Sequence, residues 1–315
     1  MRCFSFLKKG KVPKKEFLIT SLSGVNQRLD IFLSEKIKEL SRSRIQKIVE
    51  EQQVRINGIS RKSSYKLREG ERVEIDFELP EPEKIEPENI PIEVLYSDVC
   101  IAVVDKPSGM VIHPGTGNKQ HTLVNTLLYH FPDIKMVGPE ERPGIVHRLD
   151  KETSGVMVVA KNLKAYKELQ RQFKVREVEK FYVGLVWGKM PRHEGKISWA
   201  VGRHKKHGER MSIKTRKPRS AETLYTVQKE YGEFTLLEIK PTTGRTHQIR
   251  VHLSASGHPV VGDNRYGGRK SKISCTRLFL HAQRLVFFHP KTKERVEFSS
   301  NLPQDLRDFL DNIDK

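Results

Sequence analysis

From Arg28 onward, Leu29, Phe32, Leu33, Ile37 and Leu40 recur at helical intervals, so the first clear element is an amphipathic helix. A second helix opens at Ser41 or Ser43 and carries Ile45, Ile48 and Val49. The period then shortens to two. Val54 and Ile56 flank Arg55 before an Asn57-Gly58 turn, and Val73, Ile75 and Phe77 alternate after Gly70, which predicts short strands. Pro80, Pro82, Pro87 and Pro91 interleave with Glu81, Glu83, Glu86 and Glu88 in a stretch unsuited to a helix or an inner strand, and 80–91 reads as a linker. Beyond it, apolar runs at 92–96, 99–104 and 156–160 and alternating stretches at 180–188, 221–228 and 234–239 predict strands. A hairpin over 278–288 and 295–298 follows, and helices are expected at 123–129 and 165–173. The pattern gives an α+β chain: a basic flexible tail over 1–25, a small α/β module over 26–79, the linker, and a domain over 92–315. That domain is expected to be built on a mixed, largely antiparallel sheet with flanking helices and a central cleft.

Composition narrows the partner. A chain of 315 residues with 36% hydrophobic content can bury real cores, and its formal net charge of +19 favours association with polyanions. Nucleic acid fits better than a membrane surface, because no long apolar span and no basic helix with a broad apolar face is present. The N-terminus places a short apolar patch before its lysines, the wrong order for a signal peptide, so a cytoplasmic location is expected. Cys3, Cys100 and Cys275 are too far apart for a disulfide framework or a zinc spacing.

Candidate chemistry concentrates in 143–161, where a polar loop lies between apolar runs. Leu149 and Val156 can anchor a frame on which Asp150 is mounted, a suitable place for a pre-oriented nucleophile or base. Taken alone, an Asp beside Thr153-Ser154-Gly155 more often closes a turn by bonding backbone amides. Tyr182 faces opposite to Phe181 and Val183 on its strand, where it would be core or a stacking surface for a base. Residues 191–220 are dense in Lys and Arg, including Arg203, Lys205 and Lys206, with Trp199 among them, a patch suited to phosphates. The run from Lys240 to Leu253 contains Gly244, Arg245, Thr246, His247 and Gln248, and Arg245 after a flexible glycine could reach the Asp150 loop to form a charge-assisted pair. A metal-dependent RNA hydrolase would draw on His113, His147, Asp150, His247 and His252, but these make no compact ligand spacing.

Two resemblances extend this reading. Arg28-Leu29-Asp30, Ser41-Arg42-Ser43-Arg44 and Val54-Arg55-Ile56-Asn57-Gly58 resemble the S-four-type RNA-binding module. On that likeness Arg42, Arg44, Lys47 and Arg55 are candidate RNA contacts. Gln52 departs from the pattern, standing where the family usually has a glycine to end the second helix; if that position needs a left-handed conformation, a non-glycine there costs about 1 kcal/mol, so a rebuilt helix end is expected. His147-Arg148-Leu149-Asp150-Lys151-Glu152-Thr153-Ser154-Gly155, together with Thr243-Gly244-Arg245-Thr246-His247-Gln248-Ile249-Arg250, resembles the RluA/RluD family of RNA pseudouridine synthases, most closely its large-subunit ribosomal RNA members.

That resemblance implies isomerisation of uridine in RNA, in which the N1–C1′ bond breaks and C5 joins C1′. It implies no redox, metal or nucleotide cofactor, structured RNA as partner, and a monomer. Asp150 matches the family's catalytic aspartate, Arg245 its active-site arginine, Tyr182 the residue stacked on the base, and Arg148 the one that fills the space a flipped uridine leaves. His247 and Gln248 are expected to brace the loop and contact RNA. A non-catalytic RNA-binding assembly factor is the other reading, and the intact Asp150, Tyr182 and Arg245 set speaks against it.

Overall fold

The computed structural model describes residues 15–19, 24–37, 40, 42–75, 85–115, 118–205, 207, 210–267 and 275–314. Two compact units, Met1–Lys84 and Ile85–Lys315, make up the chain.

In the first unit, β1 (Lys15–Leu18), β2 (Val54–Ile56) and β3 (Arg72–Ile75) form an antiparallel sheet in the order β1-β3-β2. Helices α1 (Leu29–Lys36) and α2 (Arg42–Glu50) pack their predicted apolar faces onto it, burying Phe32, Leu33, Ile45 and Ile48 with Val54 and Val73. The Asn57-Gly58 turn forms as expected, both residues having positive φ. Strand β1 corrects the expected tail over 1–25. Phe17 meets Phe32 edge to face at 5.8 Å and Ile19 is buried, so this short stretch is part of the core. Its lysine-rich surroundings hide a strand too short to display a period. Gln52 keeps the left-handed conformation at φ 60°, and Gln53 N–H bonds Ile48 O at 3.1 Å, so α2 ends by the glycine-type closure without glycine.

The second unit contains β4 (Glu93–Ser97), β5 (Ile101–Lys106), α3 (Leu123–His130), β6 (Ser154–Ala160), α4 (Leu163–Val175) and β7 (Glu179–Trp187). The chain continues through β8 (Glu194–Ile197), β9 (Gly202–Arg203), β10 (Met211–Ser212), β11 (Thr223–Tyr231), β12 (Phe234–Pro241) and α5 (Gln248–Ala255). It closes with β13 (Leu280–Phe288), β14 (Arg295–Ser299) and α6 (Gln304–Ile313). Nine described strands join in the order β4-β5-β6-β13-β7-β12-β11-β8, with β14 beside β13, while β9 and β10 form a separate hairpin. All pairings are antiparallel except β6 with β13. Every residue of β6 is buried, which explains its uncharged sequence. Residues 85–91, expected within the linker, instead belong to this unit: Asn125 donates to Glu86 O at 2.7 Å and Glu88 N–H to Asn125 O at 3.0 Å.

Helix α5 replaces part of what the sequence presents as a loop. Its N-cap, His247, is left-handed at φ 53° and gives no side-chain cap, so the usual start signal is missing. The β-branched Ile249 and Val251 further disguise it.

Candidate active site

Asp150 sits at the end of a loop that runs into β6 and is clamped from β5. Lys106, buried at the end of β5, donates to Pro107 O at 2.7 Å, Met110 O at 3.0 Å and Lys151 O at 3.2 Å. Burial pulls its pKa down to about 7 against the opposing pull of the Asp150 and Glu152 carboxylates. Ser108 Oγ adds a bond to Glu152 O at 2.7 Å, and Gly109 N–H one to Lys151 O at 2.8 Å. The Asp-Lys-Pro-Ser-Gly turn thus grips the residues just after Asp150. The turn itself is closed by backbone, Thr153 N–H to Asp150 O at 3.2 Å. The carboxylate is therefore left to face a cavity of about 490 Å³ lined by 146–150, Tyr182 and 241–250.

Behind the loop His147 stacks on Phe173 at 4.7 Å and its Nε2 accepts Val158 N–H at 3.1 Å. Burial, helped by Lys180, pushes its pKa down to about 3, so the imidazole is a neutral acceptor. Arg148 is exposed and lines the cavity.

The charge partner of Asp150 is Arg250. Its Nη1 lies 3.4 Å from Asp150 Oδ2 and 3.3 Å from Glu152 Oε2, while Nε and Nη2 bind Asp263 at 2.8 and 2.9 Å. Burial opposes the charge, but the Asp263 hydrogen bonds and the neighbouring carboxylates keep the guanidinium firmly protonated. This corrects the pairing expected of Arg245. Gln248 Oε1 holds the Arg245 N–H at 3.1 Å and Arg245 Nε donates to Ser220 O at 3.1 Å, so its side chain lies along the cavity wall. Arg250, further along α5, faces the carboxylate instead.

Gln248 is a brace. Its Oε1 also accepts from Thr243 Oγ1 at 2.7 Å and its Nε2 donates to Glu222 O at 2.8 Å and Thr223 Oγ1 at 3.0 Å, which occupies an amide the sequence had offered to RNA. His247 Nε2 stands 3.8 Å from Asp150 Oδ1. Tyr182 projects from β7 into the same cavity; burial and then the Asp150 charge raise its pKa above the usual phenol value, so it keeps its proton at neutral pH. The cavity also has a cationic wall of Lys174, Arg176 and Lys180 that the motifs do not reveal. Arg176 is brought there by the left-handed end of α4, φ 65°.

The other expected RNA contacts lie in the first unit and on or beside β9. In the first unit Arg42 is committed to the fully buried Asp30 at 2.9 Å, which also accepts from Arg28 and Gln46. Burial works against the Asp30 charge, yet these hydrogen bonds hold its carboxyl well below the usual range. Arg42 is thus first a clamp between α1 and α2. Lys47 is exposed and 3.7 Å from Glu51, Arg44 lies on α2, and Arg55 is the exposed residue of β2. Arg203 is on β9, Lys205 follows it, and Lys206 lies outside the described residues.

An ion-paired carboxylate, a protonated tyrosine and a cationic wall surround one cavity, and a basic helical module lies elsewhere in the chain, features that suit a polyanionic partner such as nucleic acid. Comparison with known proteins specifies the class. Residues 101–255 match the RNA pseudouridylate synthase family and 27–73 the S4 domain. An uncharacterised RNA pseudouridine synthase of Aquifex aeolicus is 46% identical over 302 residues, covering 93% of this chain and 95% of its own. The ribosomal large subunit pseudouridine synthase D of Salmonella typhimurium is 39% identical, covering 91% and 90%. Among solved structures, human RNA pseudouridylate synthase domain containing 1 aligns with a TM-score of 0.55 at 30% identity, covering 74% of this chain and 97% of its own. The chain belongs to the RNA pseudouridine synthase family. Its activity is the isomerisation of uridine in RNA to pseudouridine, and it carries an S4 domain that binds RNA.

Proposed function

We propose that the protein modifies uridines of large-subunit ribosomal RNA in the cytoplasm, acting as a monomer, with Asp150 as the catalytic carboxylate. The observation that carries this reading is the convergence of Asp150, Arg250 and Tyr182 on one cavity of about 490 Å³, within the range of roughly 300–1,000 Å³ common for ligand sites. The reading of the substrate rests on likeness to the Salmonella typhimurium protein named for the ribosomal large subunit. A uridine enters flipped or already unpaired, because its C5 and C1′ cannot be reached together inside a helix. Arg148 in the cavity lining fills the space that it leaves. Tyr182 stacks on the base, and Arg250 keeps Asp150 charged and fixed for attack or proton abstraction. Lys174, Arg176, Lys180 and Arg245 hold neighbouring phosphates.

Asp150→Asn is expected to abolish pseudouridine formation while RNA affinity changes little, since the shape and the cationic wall of the cavity persist. Turnover on transcribed large-subunit ribosomal RNA, read beside a binding titration, decides; near-normal turnover in the variant overturns the assignment. Mapping pseudouridines in total RNA with and without the gene identifies the sites, and unchanged ribosomal RNA would move the substrate elsewhere.

A further inference from the structure

The turn at 262–267 looks in sequence like a plain connection, but it holds two parts of the site. Asp263 Oδ1 accepts the backbone N–H groups of Arg265 and Tyr266, both at 2.9 Å, and Gly267 N–H bonds Asp263 O at 2.8 Å. Gly262, at φ 73°, packs so closely that a Cβ there would lie 1.9 Å from Arg277 O. Its ring under Arg250 at 5.4 Å, Tyr266 is presented from a rigid turn.

The Tyr266 hydroxyl bridges two partners. Met211 N–H, in β10, can only donate, so the Tyr266 oxygen accepts from it at 2.9 Å. Its hydroxyl also lies 2.7 Å from His247 Nδ1, and because the Asp150 carboxylate 3.8 Å from Nε2 favours a proton on that nitrogen, Nδ1 is left to accept the hydroxyl proton. His247 is neutral, because burial lowers its pKa more than the Asp150 charge raises it. Its one ring proton therefore sits on Nε2. Two hydrogen bonds thus link β10 to His247 through Tyr266, and the far nitrogen of His247 faces the carboxylate at 3.8 Å. Strand β10 pairs with β9, Met211 opposite Arg203, within the most cationic segment of the chain.

We propose that Tyr266 is a positioning residue that joins the β9–β10 hairpin to Asp150, fixing His247 as the tautomer whose N–H faces the carboxylate while the hairpin is seated. The proposal rests on the reading of Asp150 as the catalytic carboxylate. RNA bound to the hairpin then does more than add affinity: it holds the strand whose backbone N–H orients the Tyr266 hydroxyl.

Tyr266→Phe removes the hydroxyl and keeps the ring over Arg250. With transcribed large-subunit ribosomal RNA, kcat is expected to fall about tenfold, the order expected for one lost hydrogen bond, with KM unchanged. NMR of [15N]histidine-labelled protein, with His247 assigned by its loss in His247→Gln, is expected to show the Nε2–H form in the parent and a mixture in Tyr266→Phe. An unchanged tautomer, or a rise in KM in place of the fall in kcat, overturns the proposal. Coupling to the hairpin is tested with Arg203→Gln/Lys205→Gln. These changes are expected to lower kcat in the parent but not further in Tyr266→Phe, and additive effects on kcat overturn the link. The tautomer is read without turnover, so an active Asp150→Asn variant would sink the catalytic reading while leaving the NMR result separately decided.

Discussion

Neutralising Arg250 would remove the guanidinium that Asp150, Glu152 and Asp263 share, leaving the fully buried Asp263 without the partner it binds at 2.8 Å. Breaking a buried pair in this way costs about 3–5 kcal/mol, because the stranded carboxylate cannot regain water. Arg250→Gln is therefore expected to lower kcat/KM at least about a hundredfold and to lower the melting temperature. Arg250→Lys should recover little, since an ammonium cannot reproduce the two-pronged contact with Asp263. By contrast Arg245→Gln, whose parent side chain bonds Ser220 O, should raise KM and leave kcat nearly unchanged. Steady-state kinetics on the same RNA ranks them, and the reverse order would return the counter-ion role to Arg245. Both arginines stand in one motif, and only the register of α5 tells which one turns inward. Asp150 was legible because its loop is polar between apolar runs and its motif is specific. Arg250, Asp263 and Tyr266 were not, since their roles come from contacts across the fold.

At the scale of elements, apolar runs and alternation made most strands and helices of both units readable, because each buries one face. The failures have local causes: β1 is short and set among lysines, and α5 begins on an uncapped, left-handed His247. The end of α2 offers a measurable case. Gln52 occupies φ 60° with helix-closing hydrogen bonds on both sides, so the chain bears the cost of a side chain in a conformation suited to glycine. Gln52→Gly is expected to stabilise the first unit by about 1 kcal/mol. Denaturant unfolding of the full chain, followed by hydrogen exchange at α2 amides, checks this. Equal or lower stability would mean that the Gln52 side chain offsets the backbone strain.

Across the whole molecule, each unit has its own sheet and core, and the residues lining the cavity belong to 85–315. A chain lacking residues 1–84 is expected to keep turnover, with KM for RNA raised about tenfold and a shallower dependence on salt, since fewer phosphates are neutralised. Affinity and site choice identical to the full chain would show that the S4 domain does not recruit the substrate. Composition foretold the polyanion, but the cationic wall of Lys174, Arg176 and Lys180 is assembled only by folding.

The parallel junction of β6 with β13 has a consequence in time. It consists of Ser154 opposite His281 and Gly155 opposite Ala282, sealed by the bond of Ser154 Oγ with His281 Nδ1 across 127 residues of chain. A Cβ at Gly155 would lie 2.2 Å from Ala282 O, so the two strands meet with no room to spare. As the chain emerges during synthesis, the S4 domain and the Asp150 loop come out well before β13. The strand beside Asp150 has β5 on one side but lacks its other neighbour until then, and closing so long a loop is slow compared with forming local structure. A chain ending before β13 is thus expected to hold RNA without altering it, which binding and turnover measured on that truncation check.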